Sequence, residues 1–224
     1  MTEEPNIVGT EAHLERGFRI VHIDDALVII DKSCGILSVP GIGPEKADCI
    51  AVRVAAEVAG ARIVHRLDRD TSGLMVMARD SNTHRLLSYQ FEARTVQKRY
   101  SALVGGHPAE DQGTIDLPIA KDFDRAPRQK IDHVNGRQSI TRYEVVERLD
   151  SPTHARLHLH PKTGRSHQLR LHLLTIGHPI LGDDLYAPEP VRSLSKRLCL
   201  HADQLAFTHP ASGAAVAFES TAPF

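Results

Sequence analysis

The chain has 224 residues, 41% hydrophobic and 25% charged, with 15 Gly, 13 Pro and a formal net charge of −1 at pH 7. That composition excludes collagen, a coiled coil and wholesale disorder, and the length holds one large domain or two small ones. Apolar runs such as Ala26 to Ile30 fall far short of the ~20 residues of a membrane helix, and the acidic start lacks the apolar core of a secretory signal.

Three scattered cysteines, Cys34, Cys49 and Cys199, suit neither a disulfide framework nor a zinc set, so a reducing, cytoplasmic setting is expected. Charge is uneven along the chain. Residues 1–61 carry a net −5 and residues 62–199 a net +6. The basic middle is either a solvated mixed-charge face or a local surface for phosphate.

Residues 1–17 read as a loose polar tail and 18–224 as a single domain. FRIVHIDDALVIIDK predicts a hairpin turning at Asp24-Asp25. Gly and Pro mark a loop over 35–44, and 45–59 reads as a helix ended by Gly60. Strand-like segments at 63–65 and 74–78 enclose a polar loop, and Asp80 or Ser81 caps a helix running to Arg94. Strands follow at 99–104, 140–149 and 154–160, with a Gly/Pro-rich surface excursion over 105–138 between the first two. Gly164 and a capping Ser166 predict a helix over 166–176, and RLCLH, QLAFTHP and AAVAFE read as closing strands. Many short strands without strict strand–helix alternation argue for an α+β fold with a mixed, largely antiparallel central sheet flanked by helices and loops.

Two segments concentrate reactive side chains. His65-Arg66-Leu67-Asp68-Arg69-Asp70-Thr71-Ser72-Gly73 forms the polar loop between apolar strands. Arginines on either side of Asp68 would keep it ionised, as a carboxylate nucleophile requires; the plain alternative is a turn in which Asp68 or Asp70 caps the backbone. The second segment runs from His160 to His172 and contains Gly164-Arg165-Ser166-His167-Gln168-Leu169-Arg170. Gly164 before a helix makes an anion site, and a buried Arg170 needs a carboxylate, for which Asp68 is a candidate; otherwise this is an exposed helix with solvated arginines. Tyr100 follows Lys98-Arg99 on a strand and is either a base-stacking aromatic or a half-buried strand tyrosine. The 14 histidines show no HExxH or Cys–His ligand pattern, and a nucleophile elbow, a Walker loop and GxGxxG are absent.

His65-Arg66-Leu67-Asp68-x-x-Thr71-Ser72-Gly73 resembles the signature of the RluA-type pseudouridine synthases, and Gly164 to His172 with Gly177-His178-Pro179-Ile180-Leu181-Gly182-Asp183 resembles their C-terminal motif. Asp31-Lys32-Ser33-Cys34-Gly35, Lys98-x-Tyr100, Leu200-His201-Ala202 and Thr208-His209-Pro210 are similar to further family motifs, in order, from about residue 18 to the end. Leu37 to Gly41, Pro127-Arg128-Gln129-Lys130 and Leu185-Tyr186-Ala187 look like a bacterial branch that modifies both large-subunit rRNA and tRNA. About 17 residues precede the first motif, too few for the S4 RNA-binding domain that some members carry there.

The resemblance implies an isomerase that detaches uracil from ribose, rotates it and rejoins it through carbon, without metal or cofactor, on a uridine flipped out of structured RNA. It implies Asp68 as the catalytic carboxylate and Arg170 as its ion partner. Tyr100 would lie against uracil and take the proton from C5. Arg66 would fill the space left by the base, with His65, Lys162 and Arg165 as further RNA contacts and Ile180 or Leu181 as the apolar pocket wall. The expected partner is rRNA, tRNA or both, and the enzyme is expected to be a monomer. The competing readings are a non-catalytic RNA-binding assembly factor, a synthase specific for tRNA, and a metal hydrolase built on the histidines.

Overall fold

The computed structural model describes residues 16–224. The predicted tail therefore lies almost wholly outside the described residues. The first hairpin is β1 (Phe18–Ile23) and β2 (Leu27–Lys32), turned by Asp24, whose carboxylate accepts the Ala26 and Leu27 N–H groups at 2.8 and 2.9 Å. The predicted helix over 45–59 is shorter. A 3₁₀ turn covers Pro44–Lys46 and α1 runs Ile50–Glu57, burying Ile50 and Val54. Then come β3 (Arg62–Ile63), β4 (Ser72–Ala78) and α2 (Ser81–Glu92). Asp80 is the N-cap of α2 as expected, accepting from Asn82 and Thr83.

The segment 105–138 is more ordered than its composition suggests. After β5 (Gln97–Gly105) it contains β6 (Gln112–Asp116), β7 (Ile119–Lys121) and β8 (Gln129–Ile131), the last two forming a separate two-stranded sheet. The long strands β9 (Ile140–Asp150) and β10 (Thr153–Pro161) follow, then α3 (Gln168–Thr175). RLCLH and QLAFTHP belong to one bulged strand, β11 (Leu200–Thr208), which pairs with β12 (Ala215–Glu219).

The main sheet has ten strands in the order β1-β2-β4-β11-β5-β10-β9-β6, with β3 on β4 and β12 on β11. Its pairings are antiparallel except β4–β11, a short parallel match of Ser72 with His201 and Gly73 with Ala202. The fold is α+β. Both faces of β2 and β4 are buried, Val28, Ile30, Met75 and Met77 against α1 and Leu27, Ile29, Leu74 and Val76 against α2, which is why these strands read as continuous apolar runs. A third core, with Val104, Leu157, Leu159 and Leu173, lies beneath α3. Gly73 sits at φ +114, and a β-carbon there would collide with the Ala202 backbone, so this crossing of the two halves requires glycine.

Candidate active site

The loop 64–71 between β3 and β4 is fastened from below. The Ser38 hydroxyl donates to the Leu67 carbonyl at 2.7 Å and accepts the Leu67 N–H at 3.1 Å. Lys32 is buried, and its ammonium donates to the carbonyls of Ser33, Arg69 and Thr71 at 2.8, 2.8 and 2.9 Å. Burial pushes the Lys32 pKa down to about 8, so at neutral pH it is still mostly an ammonium with three acceptors. Leu67 plugs the core and leaves Asp68 half-buried, facing a cleft of about 720 Å³. Neither Asp68 nor Asp70 caps the loop. Asp70 pairs with Arg69 at 3.0 Å, and Arg69 also reaches Asp184 at 3.8 Å, so Arg69 is turned away from Asp68. Among the described residues Asp68 makes no hydrogen bond or ion pair; its carboxylate is open to the cleft.

His65, Arg66, Asp68, Tyr100, Lys162, Arg165 and Arg170 all line this one cleft. Tyr100 comes from β5, and burial, with the Asp68 charge added, raises its pKa, so the phenol keeps its proton at neutral pH. The His65 ring stacks on Phe91 at 4.5 Å, and its Nε2 accepts the Val76 N–H at 3.1 Å. Burial and then the Lys98 charge push its pKa down to about 3. His65 is therefore a neutral ring bracing the cleft wall, with no charge to offer a phosphate.

Two expectations are corrected. Arg170 does not take Asp68 as its ion partner. Its guanidinium is buried and donates to the fully buried Asp183 through Nε at 2.8 Å and Nη2 at 2.5 Å, and to Asp184 at 3.0 Å. Burial opposes the charge, but Asp183, with Asp68 and Asp184 adding, outweighs it and raises the Arg170 pKa. Asp68 therefore feels Arg170 as a nearby fixed charge. Second, Ile180 and Leu181 do not form the cleft wall. They belong to the core beneath α3, and Leu67, Leu169 and Leu200 supply the apolar lining.

The start of α3 also departs from expectation. Ser166 is not its cap; His167 precedes the helix in the left-handed region at φ 55. The Gln168 side chain fixes this geometry. Its oxygen accepts from Thr163 Oγ1 at 2.8 Å and the Arg165 N–H at 3.0 Å, while its nitrogen donates to the Ile140 carbonyl and Thr141 Oγ1, both at 3.0 Å. His167 Nδ1 lies 2.8 Å from the Tyr186 hydroxyl, which accepts the Gln129 N–H at 2.7 Å. The sequence reading missed Lys32, Ser38, Asp183 and Tyr186. All four stand inside quoted motif segments, but none was given a role; the need of a buried arginine for a carboxylate was the one physical signal, and Asp183 is the carboxylate that answers it.

An open carboxylate on a braced loop, at the floor of a cleft rimmed by cations, is the site of an enzyme acting on a polyanion. The chain belongs to the RNA pseudouridylate synthase family, whose model matches residues 26–175. It is 48% identical over 205 residues to the dual-specificity RNA pseudouridine synthase RluA of Pasteurella multocida (strain Pm70), covering 92% of this chain and 93% of that one. To the enzyme of the same name from Escherichia coli (strain K12) it is 44% identical, with the same coverage. The solved structure of human RNA pseudouridylate synthase domain containing 1 superposes with a TM-score of 0.78 at 27% identity, covering 99% of this chain and 87% of that one. The protein is an RNA pseudouridine synthase, an isomerase. No helix among the described residues is long and apolar enough to cross a membrane.

Proposed function

We propose that this enzyme isomerises specific uridines in both large-subunit 23S rRNA and a tRNA anticodon stem-loop, with Asp68 as the catalytic carboxylate. The observation that carries the role of Asp68 is its state: ionisable, held by a stapled loop, facing the cleft, and free of any protein partner among the described residues. A carboxylate already spent on an arginine would have to break that pair before reacting. Here Arg170 is satisfied by Asp183, so it leaves the Asp68 carboxylate unblocked.

The flipped uridine enters between Tyr100 and the loop 64–71. Arg66, exposed beside Asp68, fills the space the base leaves; its planar guanidinium stacks and donates hydrogen bonds there. Tyr100 presents a ring face and a protonated hydroxyl to the uracil. For that hydroxyl to take the C5 proton, its own proton must first pass to another group, and Asp68 is the charged group beside it. Lys162 and Arg165 on the opposite rim meet phosphates. The substrate pair is suggested by the dual-specificity relatives, which align along nearly the whole chain.

The test uses two transcripts, a tRNA anticodon stem-loop and a 23S rRNA fragment, labelled with tritium at uridine C5. Wild type should release tritium from both, and Asp68→Asn from neither while still binding both. Release from one RNA alone would refute the dual assignment, and Asp68→Asn activity above ~1% of wild type would refute the role of Asp68, since a lost nucleophile costs several orders of magnitude.

A further inference from the structure

We propose that Arg94, Arg137 and Arg165 form a three-arginine clamp on the rim of the cleft that grips one backbone phosphate of the RNA next to the flipped uridine. The inference rests on the uridine being placed at Asp68, and it adds two residues that the sequence motifs do not mark.

The three arginines arrive from separate segments. Arg165 lies in the loop between β10 and α3, its backbone N–H tied to Gln168. Arg94 follows the end of α2 and lines the same cleft. Arg137 precedes β9 and exchanges two backbone hydrogen bonds with Ile119, at 2.9 and 2.8 Å, so its Cα is fixed. Arg137 and Arg94 act on Arg165 as repelling charges, added to the cost of burial, and lower its pKa. Lys98 adds a fourth cation; its ammonium lies over Gly164, 3.8 Å from where a β-carbon would be.

No carboxylate compensates this convergence. Among the described residues none of the four side chains makes an ion pair or a hydrogen bond, although Glu92 lines the same rim. The Nε of Arg165 is buried and without a partner, so its donor goes unsatisfied until an acceptor arrives. The backbone of Arg94 adds a second cost. It stands at φ 59, in the left-handed region that disfavours an L-residue and not glycine. The repulsion and the orphaned donor both fall on Arg165, and the strained backbone belongs to Arg94 in the same cleft lining. A phosphodiester answers the first two: it brings the negative charge, and its two free oxygens fit the forked donors of arginine.

The test measures the affinity of an anticodon stem-loop transcript between 50 and 200 mM salt for wild type, Arg94→Gln, Arg137→Gln, Arg165→Gln and a control. The control, Arg148→Gln, removes an arginine already paired with Asp111 at 2.8 Å. Each clamp variant should flatten the plot of log affinity against log salt by about 0.7–0.9 per lost phosphate contact, and the control should not. In a scan of single methylphosphonates, one position should weaken wild type and leave Arg165→Gln unaffected. Slopes equal to wild type, an equal drop in the control, or a scan with no such position would overturn the clamp. Arg94 and Arg137 are exposed, so their variants carry the test even where Arg165→Gln folds poorly. Tritium release by wild type from the same transcript is scored separately: its absence counts against the substrate assignment, while the salt slopes still decide the clamp.

Discussion

Replacing Lys32 by Met keeps most of the apolar stem of the side chain and removes its charge and donors. Three buried carbonyls, of Ser33, Arg69 and Thr71, then lose their partner. An orphaned buried acceptor costs roughly 1–3 kcal/mol, and relief from burying an ammonium returns part of the total, so Lys32→Met should destabilise the fold by about 3 kcal/mol at pH 7. The pH dependence is the sharper readout. In the folded chain Lys32 loses its proton near pH 8, and in the unfolded chain at its ordinary 10.5. Within that window the unfolded state binds the extra proton, so wild-type stability rises with pH, by about 3 kcal/mol across it at roughly 1.4 kcal/mol per pH unit. Below pH 8 both states are protonated and this contribution is flat. Other groups titrate in the same range, but they do so in the variant too. Guanidinium unfolding of both proteins at pH 7.5, 8.5, 9.5 and 10.5 should therefore show the stability gap widening with pH. A constant or narrowing gap would refute the assignment of a depressed pKa to Lys32. Two carbonyls of the Asp68 loop lose their anchor as well, so turnover in the tritium-release assay should fall more than RNA affinity.

Asp183→Asn strands the buried Arg170 charge and should cost about 3–5 kcal/mol in denaturant unfolding. A change within 0.5 kcal/mol would mean that Asp184 suffices. Arg66→Ala should slow turnover on a uridine stacked in a duplex more than on one in a flexible loop, because only the first has a vacancy to fill in the stack; equal losses would argue against that role. Leu173→Ala, beneath α3 and fully buried, should lower stability by about 2–5 kcal/mol, read as a shift in unfolding midpoint with an unchanged m-value.

Local signals were legible where local physics decides the structure. The Asp24 turn, the Asp80 cap and the twin apolar strands β2 and β4 need only neighbours along the chain. The start of α3 does not. Six consecutive residues, Gln168 to His172 and Leu173, are buried, so this helix has no amphipathic period to read. Its polar members are satisfied at long range, Gln168 and His172 by Thr141 and Arg170 by Asp183. Local reading therefore placed the cap one turn-position early and gave Arg170 the wrong partner. The bulge between Ala202 and Gln204 likewise made one strand look like two. The cleft residues from His65 to Arg170 were found because they stand in motifs. Ile180 and Leu181 stand in a motif too, and the fold uses them as core.

The position of β11 bears on how the enzyme is made. The segment with Asp68 is translated early, yet β4 and β5 do not pair; β11, residues 200–208, is inserted between them. Until that last long strand has left the ribosome, Tyr100 and the Asp68 loop have no common frame, and Gly73 has no Ala202 to rest against. Pairings this distant in sequence form slowly, after the local hairpins. A nascent chain of this protein therefore carries its catalytic residues for much of its synthesis without a catalytic site, and gains activity only when the strand from the far end of the chain closes the sheet.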